Sequence, residues 1–381
     1  MKNKYKVIIL VNNLKFFITH RFPIAEALYK KGYKIVIAYG ESENEDINFL
    51  HKRGLETFYI PIYRGSINLF KECKTFFKIL RFFIEQKPDL VHLVTIKPYL
   101  YGGIISRLTN VPNVVSAVSG LGSLFISKSL KIKSLKLLLY PMFKIAFNHK
   151  NQKTIFHNND DLNYLLRWGV INARKTILVK GSGVNLKNFH HLKEYPGLPV
   201  VCFSARLLRD KGVIEFILAS KIIKNEGIKA RFIIAGDLDK QNPTGLKLDE
   251  LENLNKDNCV EFLGYQDDIP DLFSKSHIIC LPSYREGMPK SLLEAAAASR
   301  SIVTTDVPGC RDAIIPNKTG LLVPIKDAKK LAEAIKFLIN HPKKRILMGK
   351  EGRRLAEKEY KIEKIIQNHL DIYEELFKKK L

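Results

Sequence analysis

Two Rossmann-like α/β domains are what this chain of 381 residues predicts. Three observations carry that expectation. Short apolar strands alternate with helical stretches through the first half, the alternation breaks between Lys180 and Pro199, and the same alternation then restarts. The length also exceeds what one core usually organises, so two domains of roughly 180 residues each are expected. The boundaries fall at residues 1–180 for the first domain, 181–199 for a linker and 200–359 for the second, with a helix over about 360–381 able to pack back on the first.

The first strand, Lys6 to Val11, holds the apolar run Val7-Ile-Ile-Leu-Val11 before Asn12-Asn13. That run is too short for a signal peptide or a membrane span, and no other stretch is long and apolar enough to cross a bilayer. A helix is expected over His20–Lys31 with Pro23 in its first turn, then a strand over Tyr33–Tyr39 and a helix over Ile47–Arg53 ending at Gly54. Strands at Phe58–Ile62, Leu90–Val94 and Val114–Val118 follow, separated by helices at about Ile67–Gln86 and Leu100–Leu108. Thr154–His157, a helix over Asp161–Trp168 and Thr176–Val179 complete the half. Parallel sheets of this order gather ligands at the carboxyl ends of their strands. Here those ends carry Asn12, Asn13, Phe17, His20, Thr95, Lys97 and Ser119-Gly120-Leu121-Gly122.

A formal net charge of +25 implies an anionic partner: nucleic acid, an acidic membrane surface or a phosphorylated substrate. Between Leu90 and Asn159 there is no Asp or Glu. Within that span, Phe125–Lys153 interleaves lysines with leucines and aromatics, as does Phe70–Phe83 with Lys71, Lys74, Lys78 and Arg81. Both fit helices lying on an anionic bilayer, and equally fit core-facing helices with a solvated lysine face. No nucleic-acid module or regular aromatic platform is present, so nucleic acid is not expected. The five cysteines are widely spaced without CxxC or metal-ligand spacing and read as reduced residues of a cytosolic protein.

The second half reads as strand Val200–Ser204, helix Val213–Asn225, strand Arg231–Ala235, helix Leu246–Leu254, strand Cys259–Leu263, helix Ile269–Ser274, strand Ile278–Pro282, helix Lys290–Ala298 and strand Ser301–Thr305. A long charged helix is expected over Ile346–Lys379. The densest chemistry lies in Tyr284-Arg-Glu-Gly-Met-Pro-Lys-Ser-Leu-Leu-Glu294, where a buried strand passes through a turn into a helix. The amides of that helix N-terminus suit an anion such as a diphosphate, and Gly287 allows close approach to the backbone. Glu286 and Glu294, about two turns apart, can each accept hydrogen bonds from vicinal hydroxyls. Arg206 and Lys211, after the domain's first strand, add two cations at the same sheet edge. Singly, each piece is more often a solvated edge or a helix-dipole partner; together they point to a ligand with hydroxyls at both ends and phosphates between.

Ser204-Ala-Arg-Leu-Leu-Arg-Asp-Lys-Gly212, Gly264-Tyr-Gln-Asp-Asp268, Glu286-Gly-Met-Pro-Lys-Ser-Leu-Leu-Glu-Ala295 and Thr305-Asp-Val-Pro-Gly309 resemble the donor half of the retaining GT-B glycosyltransferases of family 4. The Glu-x7-Glu segment is the most specific of these. Asn13–Leu28, His92–Pro98, Ser119–Gly122 and Gly181–Val184 resemble the family's bacterial branch that extends undecaprenyl-diphosphate-linked sugars for O-antigen, capsule or N-glycan assembly. The resemblance spans nearly the whole chain.

It implies a GT-B fold, two Rossmann-like domains facing a central cleft. Arg206 and Lys211 would bind the donor diphosphate, Glu294 the ribose, and Glu286 with Gly287, Met288 and Pro289 the transferred sugar. Leu263, Gly264 and Tyr265 would hold the base. Arg206, Lys211 and Glu286 would be the catalytic set, with Asn13, Phe17, His20, Lys97, Ser119 and Gly120 facing acceptor or sugar. The donor would be a UDP-sugar, with N-acetylhexosamines such as N-acetylgalactosamine favoured, transferred in α-linkage to an undecaprenyl-diphosphate-linked saccharide without a cofactor or metal. The donor's own phosphate would take the acceptor proton. Many relatives carry His or Glu where this chain has Ser119. The acidic pair Asp237 and Asp239 reads as a loop and not as the metal motif of another glycosyltransferase fold.

The expected protein is thus a cytoplasmic enzyme, peripherally bound to the inner face of an anionic membrane. Two other readings remain: a nucleotide-sugar 2-epimerase of the same fold, which the acid-free Leu90–Asn159 stretch disfavours, and a non-catalytic binder of membrane or nucleic acid driven by charge.

Overall fold

The computed structural model describes residues 5–378 except 64, 67, 123–129, 191, 240, 241 and 243. Contacts divide the chain into two units: Met1–Ser182 with Ile365–Leu381, and Gly183–Lys364. Residues 183–199, read from sequence as a linker, group with the second unit, and the C-terminal segment from Ile365 groups with the first.

In the first unit seven parallel strands lie in the order β3-β2-β1-β4-β5-β6-β7. They are β1 (Lys6–Asn13), β2 (Lys34–Glu41), β3 (Glu56–Tyr59), β4 (Leu90–Val94), β5 (Asn113–Val118), β6 (Gln152–Phe156) and β7 (Thr176–Leu178). Val7 through Val11 are all fully buried, because helices cover both faces of the sheet and leave no solvent side. Ile8 and Leu10 join one core; Val7, Ile9 and Val11 join the other.

The helix expected over His20–Lys31 is two helices, α1 (Leu14–His20) and α2 (Phe22–Lys30). Asn13 starts α1 early by accepting a hydrogen bond from the Phe16 amide at 2.8 Å, and the chain leaves helical geometry at Arg21 before Pro23 opens α2. α3 (Asn44–His51), α4 (Leu69–Gln86) and α5 (Gly103–Leu108) follow. The basic stretch Phe125–Lys153 contains α6 (Leu130–Ala146); its residues 125–129 lie outside the described residues. Phe143, Ala146 and Phe147 are buried in the core, and Leu137 and Leu138 face outward. α7 (Asn159–Arg167) completes the run.

The second unit holds six parallel strands in the order β10-β9-β8-β11-β12-β13. These are β8 (Val200–Ser204), β9 (Arg231–Ala235), β10 (Glu261–Gly264), β11 (Ile278–Leu281), β12 (Ser301–Thr305) and β13 (Gly320–Val323). Between them run α8 (Val213–Asn225), α9 (Leu248–Leu254), α10 (Ile269–Ser274) and α11 (Lys290–Ala297), with α12 (Ala328–Asn340) after β13. The sequence reading leaves β13 and α12 unassigned.

The long helix expected over Ile346–Lys379 is broken. α13 (Pro342–Leu355) continues through a π-turn to Tyr360, and α14 (Ile362–Lys378) begins after Lys361, whose ψ of 130° is extended. Backbone pairing makes the break: the Val184 amide donates to Tyr360 O at 2.8 Å and the Ile362 amide to Val184 O at 3.0 Å. Beyond it, Ile365, Leu370, Ile372, Tyr373 and Leu376 pack into the core that holds Val7, Ile9 and Val11. α14 therefore shares the covering of one face of the first sheet with α1–α3.

Candidate functional site

Two loops at the carboxyl edge of the second sheet are stitched together by backbone bonds. The Leu207 amide donates to Asp237 O and the Arg209 amide to Thr244 O, both at 2.9 Å, and Thr244 Oγ1 donates to Asp210 Oδ1 at 3.0 Å. Arg206 projects from this seam, half exposed, with Nη1 2.5 Å from Asp239 Oδ2. The arginine side chain is thus neutralised from within its own unit.

Lys211 points elsewhere. Gly212 has φ +77°, and a Cβ there would fall 2.2 Å from Pro282 O, so only glycine lets this loop press against the end of β11. That approach carries Lys211 Nζ to Glu286 Oε1, which also accepts from Ser283 Oγ at 2.8 Å. Glu286 Oε2 keeps no partner among the described residues. The Glu286 amide donates to Pro308 O at 3.1 Å, and Gly309 closes the back of the turn: a Cβ there would lie 2.5 Å from Glu286 O. Thr305 Oγ1 donates to Ser283 O, tying β12 to the same turn.

Gly287, Met288 and Pro289 are buried beneath this turn. Pro289 stands just before α11 as its cap and offers no side-chain bond, so the Lys290 and Ser291 amides are not capped by it. Glu294, one turn into α11, is 3.1 Å from Lys290 Nζ. Burial pushes its carboxyl above the ordinary range, against the pull of Lys290. Burial, with the Glu286 carboxylate adding to it, likewise pushes the Cys310 thiol up to about 12, so this cysteine stays protonated. At the end of β10, at the edge of the sheet, Leu263 and Tyr265 are exposed and Gly264 O accepts from the Gly236 amide at 2.8 Å.

The arrangement offers two cations and uncapped amides to an anion, and two carboxylates to hydroxyls. Among the described residues no group of three His, Cys, Asp or Glu could hold a metal ion.

At the carboxyl edge of the first sheet the predicted residues divide. Asn13 caps α1 and donates to Glu41 Oε2 at 3.1 Å. Phe17 is fully buried and belongs to the core, not to a surface that meets a ligand. His20 ends α1, its ring stacked on Phe16 at 4.3 Å. Lys97 is tied down: its Nζ donates to Glu72 Oε1 and Tyr63 O at 2.6 Å and to Ser66 O at 3.0 Å. It holds α4 and the preceding loop. Thr95 sits at φ +76°, a strained conformation for a β-branched residue, and neither its Oγ1 nor Asn12 Oδ1 has a partner among the described residues. Ser119 and Gly120, half-buried, follow β5.

Ser119 Oγ accepts from Arg21 Nη2 at 3.2 Å. Arg21 is 1% exposed, and its Nη2 also donates to His157 Nε2 at 2.8 Å. Val179 O lies 2.7 Å from His157 Nδ1, which therefore carries the proton and leaves Nε2 as the acceptor. Burial lowers His157 to about 3 and Arg21 to about 10. His369 and Tyr373 from α14 and His92 from β4 lie in the same buried group, with Tyr373 Oη 2.5 Å from His92 Nδ1. Sequence reasoning missed Arg21, Ser283 and Asp239 as partners. Ser283 at a strand end was a readable signal; nothing local marks Arg21 as buried.

Residues 184–355 match the family described as glycosyl transferases group 1, and residues 6–158 match the one described as glycosyl transferase 4-like. The chain is 29% identical over 371 residues to the N,N'-diacetylbacillosaminyl-diphospho-undecaprenol alpha-1,3-N-acetylgalactosaminyltransferase of Campylobacter jejuni, covering 94% of this chain and 95% of that one. It is 28% identical to the UDP-Gal:alpha-D-GlcNAc-diphosphoundecaprenol alpha-1,3-galactosyltransferase of Escherichia coli, covering 87% and 89%. Among solved structures, Anabaena HepE in complex with UDP and glucose superposes with a TM-score of 0.77 at 15% identity, covering 97% of this chain and 99% of that one.

Proposed function

Because the chain belongs to the glycosyltransferases, we propose that it moves a sugar from a UDP-sugar to an undecaprenyl-diphosphate-linked saccharide during surface polysaccharide synthesis. An N-acetylhexosamine such as N-acetylgalactosamine, joined in α-linkage, is the sugar this reading favours. The observation that carries it is Glu286, whose Oε1 is fixed by Lys211 and Ser283 while Oε2 is left for a ligand hydroxyl.

In this reading the donor diphosphate lies against Lys211, Arg206 and the amides at the start of α11. Glu294 accepts from the ribose hydroxyls, Glu286 from the transferred sugar, and backbone at Leu263–Tyr265 meets the base. As the C1–O bond to the diphosphate breaks, negative charge gathers on the leaving oxygen, and Lys211 stabilises it where it forms. The acceptor hydroxyl attacks from the same face, its proton passes to the departing phosphate, and configuration at C1 is retained. No step in this scheme calls on a metal.

The first unit supplies the proposed contact with an anionic membrane. Phe70, Phe77 and Ile84 of α4 are exposed, Phe70 at 88%, and their seven-residue spacing puts them on one line of the helix. Lys74 and Arg81 lie within a quarter-turn of that line, so apolar groups can enter the bilayer while cations meet its headgroups. Among the described residues no helix is long and apolar enough to cross a membrane.

The deciding experiment measures UDP release from a panel of UDP-sugars, with and without an undecaprenyl-diphosphate-linked sugar. Acceptor-dependent release from one donor identifies both sugar and reaction. If UDP does not bind and no donor is turned over, the reading fails and a charge-driven binder replaces it.

A further inference from the structure

Arg21 is a buried cation without a counter-charge. Its hydrogen-bond partners are a neutral histidine and a serine, Nε and Nη1 have no partner, and no carboxylate pairs with it among the described residues. The groups around it are His92, His157, His369 and Tyr373, none of them anionic near neutral pH. Holding a guanidinium dry without an opposite charge is costly, a cost that an anion arriving at the site can offset.

Among the described residues, half-buried Ser119 is the partner of this charge that reaches towards solvent. Its oxygen already accepts from Arg21, and its hydroxyl proton has no acceptor among the described residues. Ser119 is half-buried at the carboxyl end of β5, beside Gly120. A hydroxyl whose oxygen is polarised by a cation behind it is a strong donor, and its proton is left to donate outward.

We propose that Arg21 and Ser119 form an oxyanion subsite in the first unit. Ser119 touches the ligand and Arg21 is the positioning residue behind it; the ligand is a phosphoryl oxygen of the acceptor's diphosphate. This rests on the acceptor class proposed above. The donor's diphosphate has the same chemistry, so the two sources must be separated by experiment.

Transfer kinetics with a short-chain prenyl-diphosphate-linked sugar, and with the same sugar on a neutral alkyl aglycone, make the test, alongside calorimetric titration with UDP. Ser119→Ala is expected to raise KM for the diphosphate acceptor about tenfold, with little change in kcat, in KM for the neutral acceptor or in UDP affinity. Arg21→Lys, which keeps the charge, is expected to give a smaller rise; if it does not fold, Ser119→Ala decides alone. Equal effects on both acceptors, or none on either, overturn the oxyanion subsite. Loss of UDP affinity in Ser119→Ala overturns the acceptor assignment by moving the site to the donor. Failure of the wild type to bind UDP or to transfer at all sinks the glycosyltransferase scheme itself, a result distinct from these.

Discussion

Arg206 and Asp239 close on each other, Nη1 to Oδ2 at 2.5 Å, across two loops already joined by backbone hydrogen bonds. A donor diphosphate reaching Arg206 must compete with a carboxylate that belongs to the protein. Asp239→Asn removes the competitor. UDP should then bind about two- to fivefold more tightly, the scale of a half-exposed ion pair, as read by calorimetry. Weaker binding in the variant would mean that Asp239 aims Arg206 at the phosphate instead of occupying it.

Lys211 and Glu294 should separate in kinetics. Lys211→Ala is expected to lower kcat by about a hundredfold, because the lysine acts where leaving-group charge develops. Glu294→Ala should mainly weaken UDP binding, by about tenfold or more, through lost hydrogen bonds to a charged acceptor. Matching losses of kcat and affinity in the two variants would contradict these roles.

Gly309→Ala tests the back wall of the Glu286 turn. The new Cβ would lie 2.5 Å from Glu286 O at a backbone φ of +81°, so the turn must shift. Displacing a positioned group by ~1 Å costs about a hundredfold in rate, so transfer should fall at least about tenfold. UDP affinity should change less, since Glu294 stands on α11 outside the turn. A variant with full activity would show that Glu286 needs no precise placement.

Acid should destabilise the first unit through its histidines. Burial lowers His157 and His369 to about 3, so the folded form keeps them neutral while the unfolded chain takes up protons below its ordinary histidine value. Their contribution is complete above that value and is lost progressively as pH falls towards 3. Between pH 7 and pH 5 each should cost roughly 2 kcal/mol, seen as a drop in Tm. His157→Gln and His369→Gln should each flatten that dependence; an unchanged slope in both would count against it.

Phe70→Ser with Phe77→Ser should reduce co-sedimentation with phosphatidylglycerol vesicles about tenfold or more, given about 1.5–3 kcal/mol for each buried phenylalanine. Retained binding would assign the membrane contact to another face.

Much of this architecture is legible because its signals are local. Buried parallel strands such as Val7–Val11 and Ile278–Leu281 read as apolar runs, and the strand–turn–helix at Glu286 carries its own carboxylates and helix start. What was hidden depends on partners distant in sequence. Lys97 looks like a free cation at a strand end until Glu72, Tyr63 O and Ser66 O are seen around it. Phe17 sits beside the candidate edge in sequence but points into the core. The break at Lys361 is made by Val184, and the burial of Arg21 by strands and a helix drawn from across the first unit. Periodicity has no means of reporting such contacts.

The placement of α14 sets an order of assembly on the ribosome. The chain leaves the first unit after Ser182, completes every strand of the second, and only then supplies the helix that covers Val7, Ile9 and Val11. The second unit can therefore finish folding during translation while the first, though begun earlier, waits with one face of its sheet covered by α1–α3 but lacking α14. In that interval the apolar residues that α14 buries stay exposed, and a stop codon before Ile365 leaves a protein whose second unit is whole and whose first unit is prone to aggregation.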